Sequence, residues 1–261
     1  MISMDAIRNF YPEPMRSTAI FQKHLLKEYV QLLVLDYLAA TRHVRKLAFI
    51  GGTSLRLVKG IDRFSEDLDF DCKDLGEKEF REMTDDVLAF LARSGFRVET
   101  RDKAGDKRTA FRRSFHFPGL LFDLGLTGHR DERFLMKIEA QDQGVSYERA
   151  PGVLKGCGLF FSFPVPPDPV LCAMKVSAML SRRKGRDYYD AMFLLAQTRP
   201  DYAFLAARNG IHDWPELRAA IAASLLSVDL DQKRRDVEHL LFQAENGRRI
   251  LRFADFIAAL S

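Results

Sequence analysis

An α+β fold is predicted, with a mixed α/β domain over residues 1–163 and an all-helical domain over 164–261. Two observations predict it. Short alternating or apolar runs are interspersed with helical periodicity up to about Ala140, whereas beyond Pro167 only helical patterns continue. A 261-residue chain that is 47% hydrophobic and 29% charged also has ample material for buried cores.

Taken in order, Ala19–Thr41 reads as a long amphipathic helix, with Ile20, Leu25, Leu26, Tyr29, Leu32, Leu33 and Leu35 at helical spacing. Lys46–Ile50 is an apolar strand that stops at Gly51-Gly52. Thr53–Lys59 is a short helix that Gly60 ends, and Leu68–Asp71 alternates as a strand. A solvent-facing acidic helix follows over roughly Glu77–Gly95. Further strands are expected at Arg97–Arg101, Arg112–Phe117, Leu120–Leu126 and Phe134–Ala140. Ser162–Pro167 is too proline-rich for a helix or a central strand and reads as a linker. Asp168-Pro169 then reads as an N-cap with proline at the first helical position, opening helices that run to Leu260.

Composition removes several classes. The longest apolar candidate, Gln31–Ala40, is interrupted by Asp36 and is too short to span a membrane. The first residues lack the basic and apolar segments of a signal peptide, so a cytoplasmic protein is expected. Three cysteines without a C-x-x-C pair, and six histidines without an H-x-x-x-H, argue against a disulfide scaffold or a zinc site.

The chemistry concentrates between Phe49 and Phe70. A strand delivers Gly51-Gly52 to a helix start, where a bare backbone and free N–H groups favour a phosphate. Thr53 and Ser54 add hydroxyls. Asp67 and Asp69 stand at i and i+2 of an extended segment, so both carboxylates leave one face while Leu68 and Phe70 point into the core. Two adjacent carboxylates repel unless a cation lies between them, and magnesium bound through carboxylates and substrate phosphates fits. Either feature alone has an ordinary structural explanation. Together they suit metal-assisted nucleotidyl transfer. Asp71, further along the same face, is read as a surface charge.

The stretch resembles the signature of the DNA-polymerase-β-like nucleotidyltransferase superfamily. More narrowly, G-G-T-S-L-R-L-V-K-G-I-D-R-F-S-E-D-L-D-F is similar to the AbiEii/AbiGii nucleotidyltransferase family, toxins of type IV toxin–antitoxin and abortive-infection systems. A second match runs from Lys175 through Arg182-Arg183-Lys184-Gly185-Arg186 to Asp187-Tyr188-Tyr189-Asp190. Together they cover about residues 20–200. The resemblance implies a nucleotidyltransferase-type mixed sheet, with Gly51, Gly52 and Thr53 at the phosphate turn. It further implies Asp67 and Asp69 as catalytic Mg²⁺ ligands, and Lys175, Asp187 and Asp190 as nucleotide-binding residues. Lys175 on an otherwise apolar helix either needs an anion nearby, a triphosphate or an aspartate, or snorkels at the helix edge; Asp187 could equally pair with Arg183 or Arg186, and Asp190 could be a helix-surface charge. The superfamily often uses a third carboxylate as ligand or base; Glu139 is the candidate and Asp123 the alternative.

A nucleoside triphosphate substrate follows from these motifs, with Lys175 expected to steady it at a cleft between the domains. Seven basic against three acidic residues between Phe96 and His116, and the Arg182–Arg186 cluster, suit an RNA acceptor, with tRNA leading. Lys233-Arg234-Arg235 and Arg248-Arg249 read as solvated faces. The resemblance also implies a separately encoded antitoxin, and no membrane partner is expected. Three other readings stay open: a non-catalytic nucleotide or RNA binder of the same fold, a kinase-like phosphotransferase, and an unrelated interaction module.

Overall fold

The computed structural model describes residues 3–100 and 110–260. The chain forms two compact units. One comprises Met1–Lys59, Phe64–Gly144 and Ala150–Val165, the other Gly60–Arg63, Val145–Arg149 and Pro166–Ser261.

The first unit opens with α1 (Met4–Arg8), α2 (Glu13–Arg16) and α3 (Gln22–Ala39). Strand β1 (Leu47–Ile50), helix α4 (Gly51–Leu57), strand β2 (Leu68–Cys72) and helix α5 (Glu77–Arg93) follow. Then come β3 (Glu99–Thr100), β4 (Phe111–His116), α6 (Leu120–Asp123) and β5 (Leu135–Gln141). Five strands form one mixed sheet in the order β1-β2-β5-β4-β3. The β2–β5 pair is parallel, and the other neighbours are antiparallel. The expected strand at Arg97–Arg101 is present as Glu99–Thr100, with Arg101 outside the described residues.

Three expectations about elements are corrected. Helix α3 is not amphipathic but nearly encased: Leu25, Leu26, Val30, Val34, Leu35 and Leu38 are fully buried, and so are Glu28 and Gln31. The Glu28 carboxylate accepts from Arg56 Nε and Nη2 at 2.9 and 3.2 Å, and Gln31 donates to the Ser65 carbonyl. Polar residues on this helix are thus satisfied in the interior, a pattern that periodicity cannot tell from a wet face.

Leu120–Leu126 is a helical turn rather than a strand, because the chain turns through Pro118-Gly119 and buries only Leu121 of the run Leu121–Leu124. Ser162–Pro167 is not a linker. Residues Leu159–Val165 form β7, paired antiparallel with β6 (Ala150–Gly156). Pro151 faces Pro164 in this ladder, which is compatible with pairing where facing residues exchange no N–H bonds. The turn, Cys157-Gly158, has φ of 51° and 81°, the doubly left-handed geometry that suits hairpin twist.

The hairpin explains how the main sheet is covered. Phe163 of β7 packs on Phe49 and Phe70, with ring centroids 6.0 and 5.6 Å away. Phe70 alternates with Asp69, so the apolar face of β1 and β2 is sealed and the carboxylate face is left for chemistry.

The second unit holds α7 (Asp168–Arg182), α8 (Gly185–Leu195), α9 (Tyr202–Asn209), α10 (Trp214–Leu225), α11 (Leu230–Glu238) and α12 (Phe253–Ala259). Pro169 sits in the first turn of α7, while Asp201, Asp213 and Asp229 cap α9, α10 and α11 through their side chains. The basic run on α11 is ion-paired along the helix, Arg234 and Arg235 both with Asp231 and Lys233 with Asp236. Gly185 lets α8 approach α11. A Cβ there would collide with the Lys233 carbonyl and stand 2.8 Å from Asp236 Cβ. Gly185→Ala is therefore expected to destabilise the protein by about 1–3 kcal/mol through overpacking, read as a lowered thermal midpoint. Among the described residues no helix is long and apolar enough to cross a membrane.

Candidate active site

Sheet register assembles the site in the first unit. Asp69 of β2 lies opposite Glu139 of β5, and Glu139 lies opposite Arg112 of β4. The three side chains therefore form one row across one face. Asp67 precedes β2 by one residue and joins this face, its Oδ2 lying 3.6 Å from Lys137 Nζ. Burial pushes the Asp67 carboxyl above the usual carboxylate range. Lys137 pulls it back, Glu139 pushes it up, Lys27 lowers it and Glu66 raises it.

The diglycine turn is fitted to this face. Gly51 has φ +82°, and a Cβ built on it would strike the Asp69 carboxylate, 2.8 Å from Asp69 Cγ. Both the backbone conformation and the space demand glycine. Thr53 is buried, and its hydroxyl donates to the Asp67 carbonyl at 2.5 Å. It ties the turn to the carboxylate segment rather than facing a ligand. Ser54 is buried as well, its hydroxyl without a hydrogen-bond partner among the described residues. The first-turn main-chain N–H groups are then the donors this turn offers an anion. We expect Gly51→Ala to keep the fold but lower turnover by about 100-fold, since displacing one carboxylate by an ångström costs that much. A steady-state assay beside a circular dichroism spectrum checks it.

The third carboxylate has a different setting from its two neighbours. Glu139 is gripped by Arg112, Nε to Oε1 and Nη2 to Oε2 both at 2.7 Å. Asp123 is exposed on α6, away from the strand row. Asp71 is not a surface charge. It is buried and accepts the Gln143 backbone N–H at 3.0 Å. Among the described residues no group of three or more His, Cys, Asp or Glu is placed to hold a metal ion. Two same-face carboxylates beside a cradle free of Cβ fit a hard divalent ion that takes its remaining ligands from substrate and water.

In the second unit the downstream motif is internally satisfied. Asp190 is fully buried, bound by Arg63 at 2.7 Å from Nε and 2.6 Å from Nη2, and by Lys175 Nζ at 2.9 Å. Burial alone would raise its pKa, but the two cations outweigh it and hold the carboxyl at about 2. Asp187 is also buried. It accepts from Arg182 at 2.7 Å and from the Lys184 backbone N–H at 3.2 Å, closing the start of α8. Asp190 is thus no helix-surface charge, and the partner of Asp187 is Arg182 rather than Arg183 or Arg186.

Reading the sequence missed Arg63, whose only signal is its setting between Ile61 and Phe64. Its neighbour Asp62 accepts from Tyr189 at 2.7 Å and from Asn246 at 2.6 Å. Of the basic stretch between Phe96 and His116, residues 101–109 lie outside the described part, and Arg113 pairs with Asp85 at 2.7 Å.

A mixed sheet presenting Asp-x-Asp beside a diglycine turn, followed by a helical domain, defines a nucleotidyltransferase. Comparison with known proteins agrees. The model of the family described as nucleotidyl transferase AbiEii toxin, type IV TA system, matches residues 33–236, and the chain belongs to that family. Among solved structures it resembles MenT4, the nucleotidyltransferase toxin Rv2826c of Mycobacterium tuberculosis H37Rv. The TM-score is 0.58 at 18% identity, covering 100% of this chain and 91% of that one. It also resembles JHP933 of Helicobacter pylori, with a TM-score of 0.54 at 20% identity and 91% of each chain covered. At these identities the two structures speak to the fold. Comparison with curated protein sequences returns no match.

Proposed function

We propose that this protein transfers a nucleoside monophosphate from a nucleoside triphosphate to an RNA acceptor, tRNA first among them, as a cytoplasmic toxin with a separately encoded antitoxin. The observation that carries the reading is the Asp67–Asp69 pair on a sheet face whose opposite side is sealed by Phe163. Asp67 and Asp69 would hold Mg²⁺, which would supply charge neutralisation on the triphosphate and on departing pyrophosphate.

The chain's own residues do the rest. Gly51 and Gly52 bring bare backbone to the phosphates, and Thr53 fixes the Asp67 segment through its carbonyl. Lys175, buried against Asp190 in the helical unit, serves the nucleotide through its charge. Its support is electrostatic, for Arg63 and Lys175 share one carboxylate and leave the buried trio with a net positive charge. Glu139 stands beside the Asp67–Asp69 pair and, clamped by Arg112, would help position those carboxylates rather than act as a ligand itself. Asp187 and Asp190 serve the nucleotide indirectly, Asp190 by holding Lys175. The Arg182–Arg186 cluster offers charge to an acceptor's phosphates.

The test incubates purified protein with Mg²⁺, total tRNA and triphosphates labelled at the α-phosphate, beside an Asp67→Asn/Asp69→Asn variant. Label on tRNA with wild type alone is the expected result. Pyrophosphate release with label on another acceptor would keep the chemistry and discard tRNA. A nucleoside diphosphate product would identify a kinase instead.

A further inference from the structure

The active-site face carries two lysines that differ in how firmly they are held. Lys27 is mostly buried, lies 3.4 Å from Glu66 and sits over the Phe134 ring at 5.7 Å. Lys137 is 40% exposed, and its ion-pair partner is Asp67 itself. It stands two residues before Glu139 on β5, so both point to the carboxylate face. Arg112 is already committed bidentately to Glu139, and Lys27 to Glu66. Lys137 is thus the most exposed of these three cations, and the carboxylate it holds is one that the proposed reaction assigns to the metal.

We propose that Lys137 is a positioning residue, an internal counter-cation that holds Asp67 before a divalent ion is bound and surrenders it when the ion enters. The inference rests on the reading of Asp67 and Asp69 as metal ligands. A divalent ion on Asp67 repels the ammonium more strongly than a single charge would, and Lys137, 40% exposed, can move into solvent, so ion binding displaces it. Once displaced, it remains tethered within reach of the same face, where the incoming triphosphate supplies the next anion. Lys137 thus opposes metal binding in the free enzyme and favours triphosphate binding in the loaded one. A purely structural lysine would do neither.

The test measures Mn²⁺ binding without nucleotide, by loss of the free-ion electron paramagnetic resonance signal, in wild type, Lys137→Met, Lys137→Arg and Asp67→Asn. Removing a competing, partly exposed ion pair is expected to tighten Mn²⁺ binding in Lys137→Met roughly three- to tenfold. Lys137→Arg should bind as wild type does, and Asp67→Asn at least about tenfold more weakly. In steady state, Lys137→Met should raise KM for the triphosphate roughly tenfold, with kcat moving less, and Lys137→Arg should restore it. Unchanged or weaker Mn²⁺ binding in Lys137→Met overturns the proposal. Equal Mn²⁺ affinity in wild type and Asp67→Asn is a separate failure, which removes the metal reading and this inference with it.

Discussion

Asp69→Asn is expected to abolish transfer, by about 10³-fold or more, while leaving the unfolding midpoint near that of wild type. The amide keeps the shape that fills the space against Gly51, so packing is preserved. What disappears is one of two anionic oxygen donors, and with it several kcal/mol of transition-state stabilisation. Asp67→Asn should behave similarly in the assay. Because burial disfavours its charge, that variant should be no less stable than wild type without metal. Pyrophosphate release and a thermal melt on the same preparations check both halves. Full activity in either purified variant would refute the site.

The second large effect is on stability. Arg63→Ala is expected to cost about 3–5 kcal/mol, because it strips the bidentate partner from a fully buried carboxylate. Asp190→Ala should be worse, leaving a buried guanidinium and ammonium together without the carboxylate they share. Lys175→Met should be mild, since Arg63 and Asp190 remain matched, yet it should impair turnover. Chemical denaturation ranks the three, and a mild Arg63→Ala would sink the assignment. The pH dependence has a defined sign. Asp190 sits near 2 in the folded state and near 3.8 unfolded, so its contribution is present above about pH 4 and lost as pH falls towards 2. That contribution is about 2 kcal/mol, by the shift alone. Acid titration of unfolding should show this slope in wild type and lose it in Asp190→Asn.

The parts of this molecule visible in its sequence are those where local pattern and chemistry coincide. Gly51-Gly52 and the alternation around Asp67 and Asp69 each carry a mechanism in a few adjacent residues; Pro169 marked the start of α7, but the N-cap is Pro167 and Asp168 is already the first helical residue, without a side-chain cap. The β6–β7 hairpin was hidden because Pro151 and Pro164 argue against strands unless their register is known, and its turn uses Cys157 rather than an asparagine. Glu139 was placeable on the carboxylate face, but its capture by Arg112 depends on which strand borders β5, which alternation does not reveal. Arg63 was hardest. Its partner lies 127 residues downstream, and the nearby Ile61 and Phe64 are too slight a local mark to place an arginine in the interior.

That separation has a consequence for the order in which the protein can be made. The strap Gly60–Arg63 belongs to the helical unit although it is synthesised before most of the sheet. As translation proceeds, the Arg63 guanidinium emerges 127 residues ahead of the carboxylate that will bury it. At about 5–20 residues per second the wait is roughly 6–25 s. Through that interval the guanidinium lacks the Asp190 carboxylate that accompanies its burial in the finished protein. The nascent chain therefore holds its Asp67 and Asp69 long before the fold can close around Arg63. Until helix α8 has emerged, the interior ion pair that closes the helical unit cannot form.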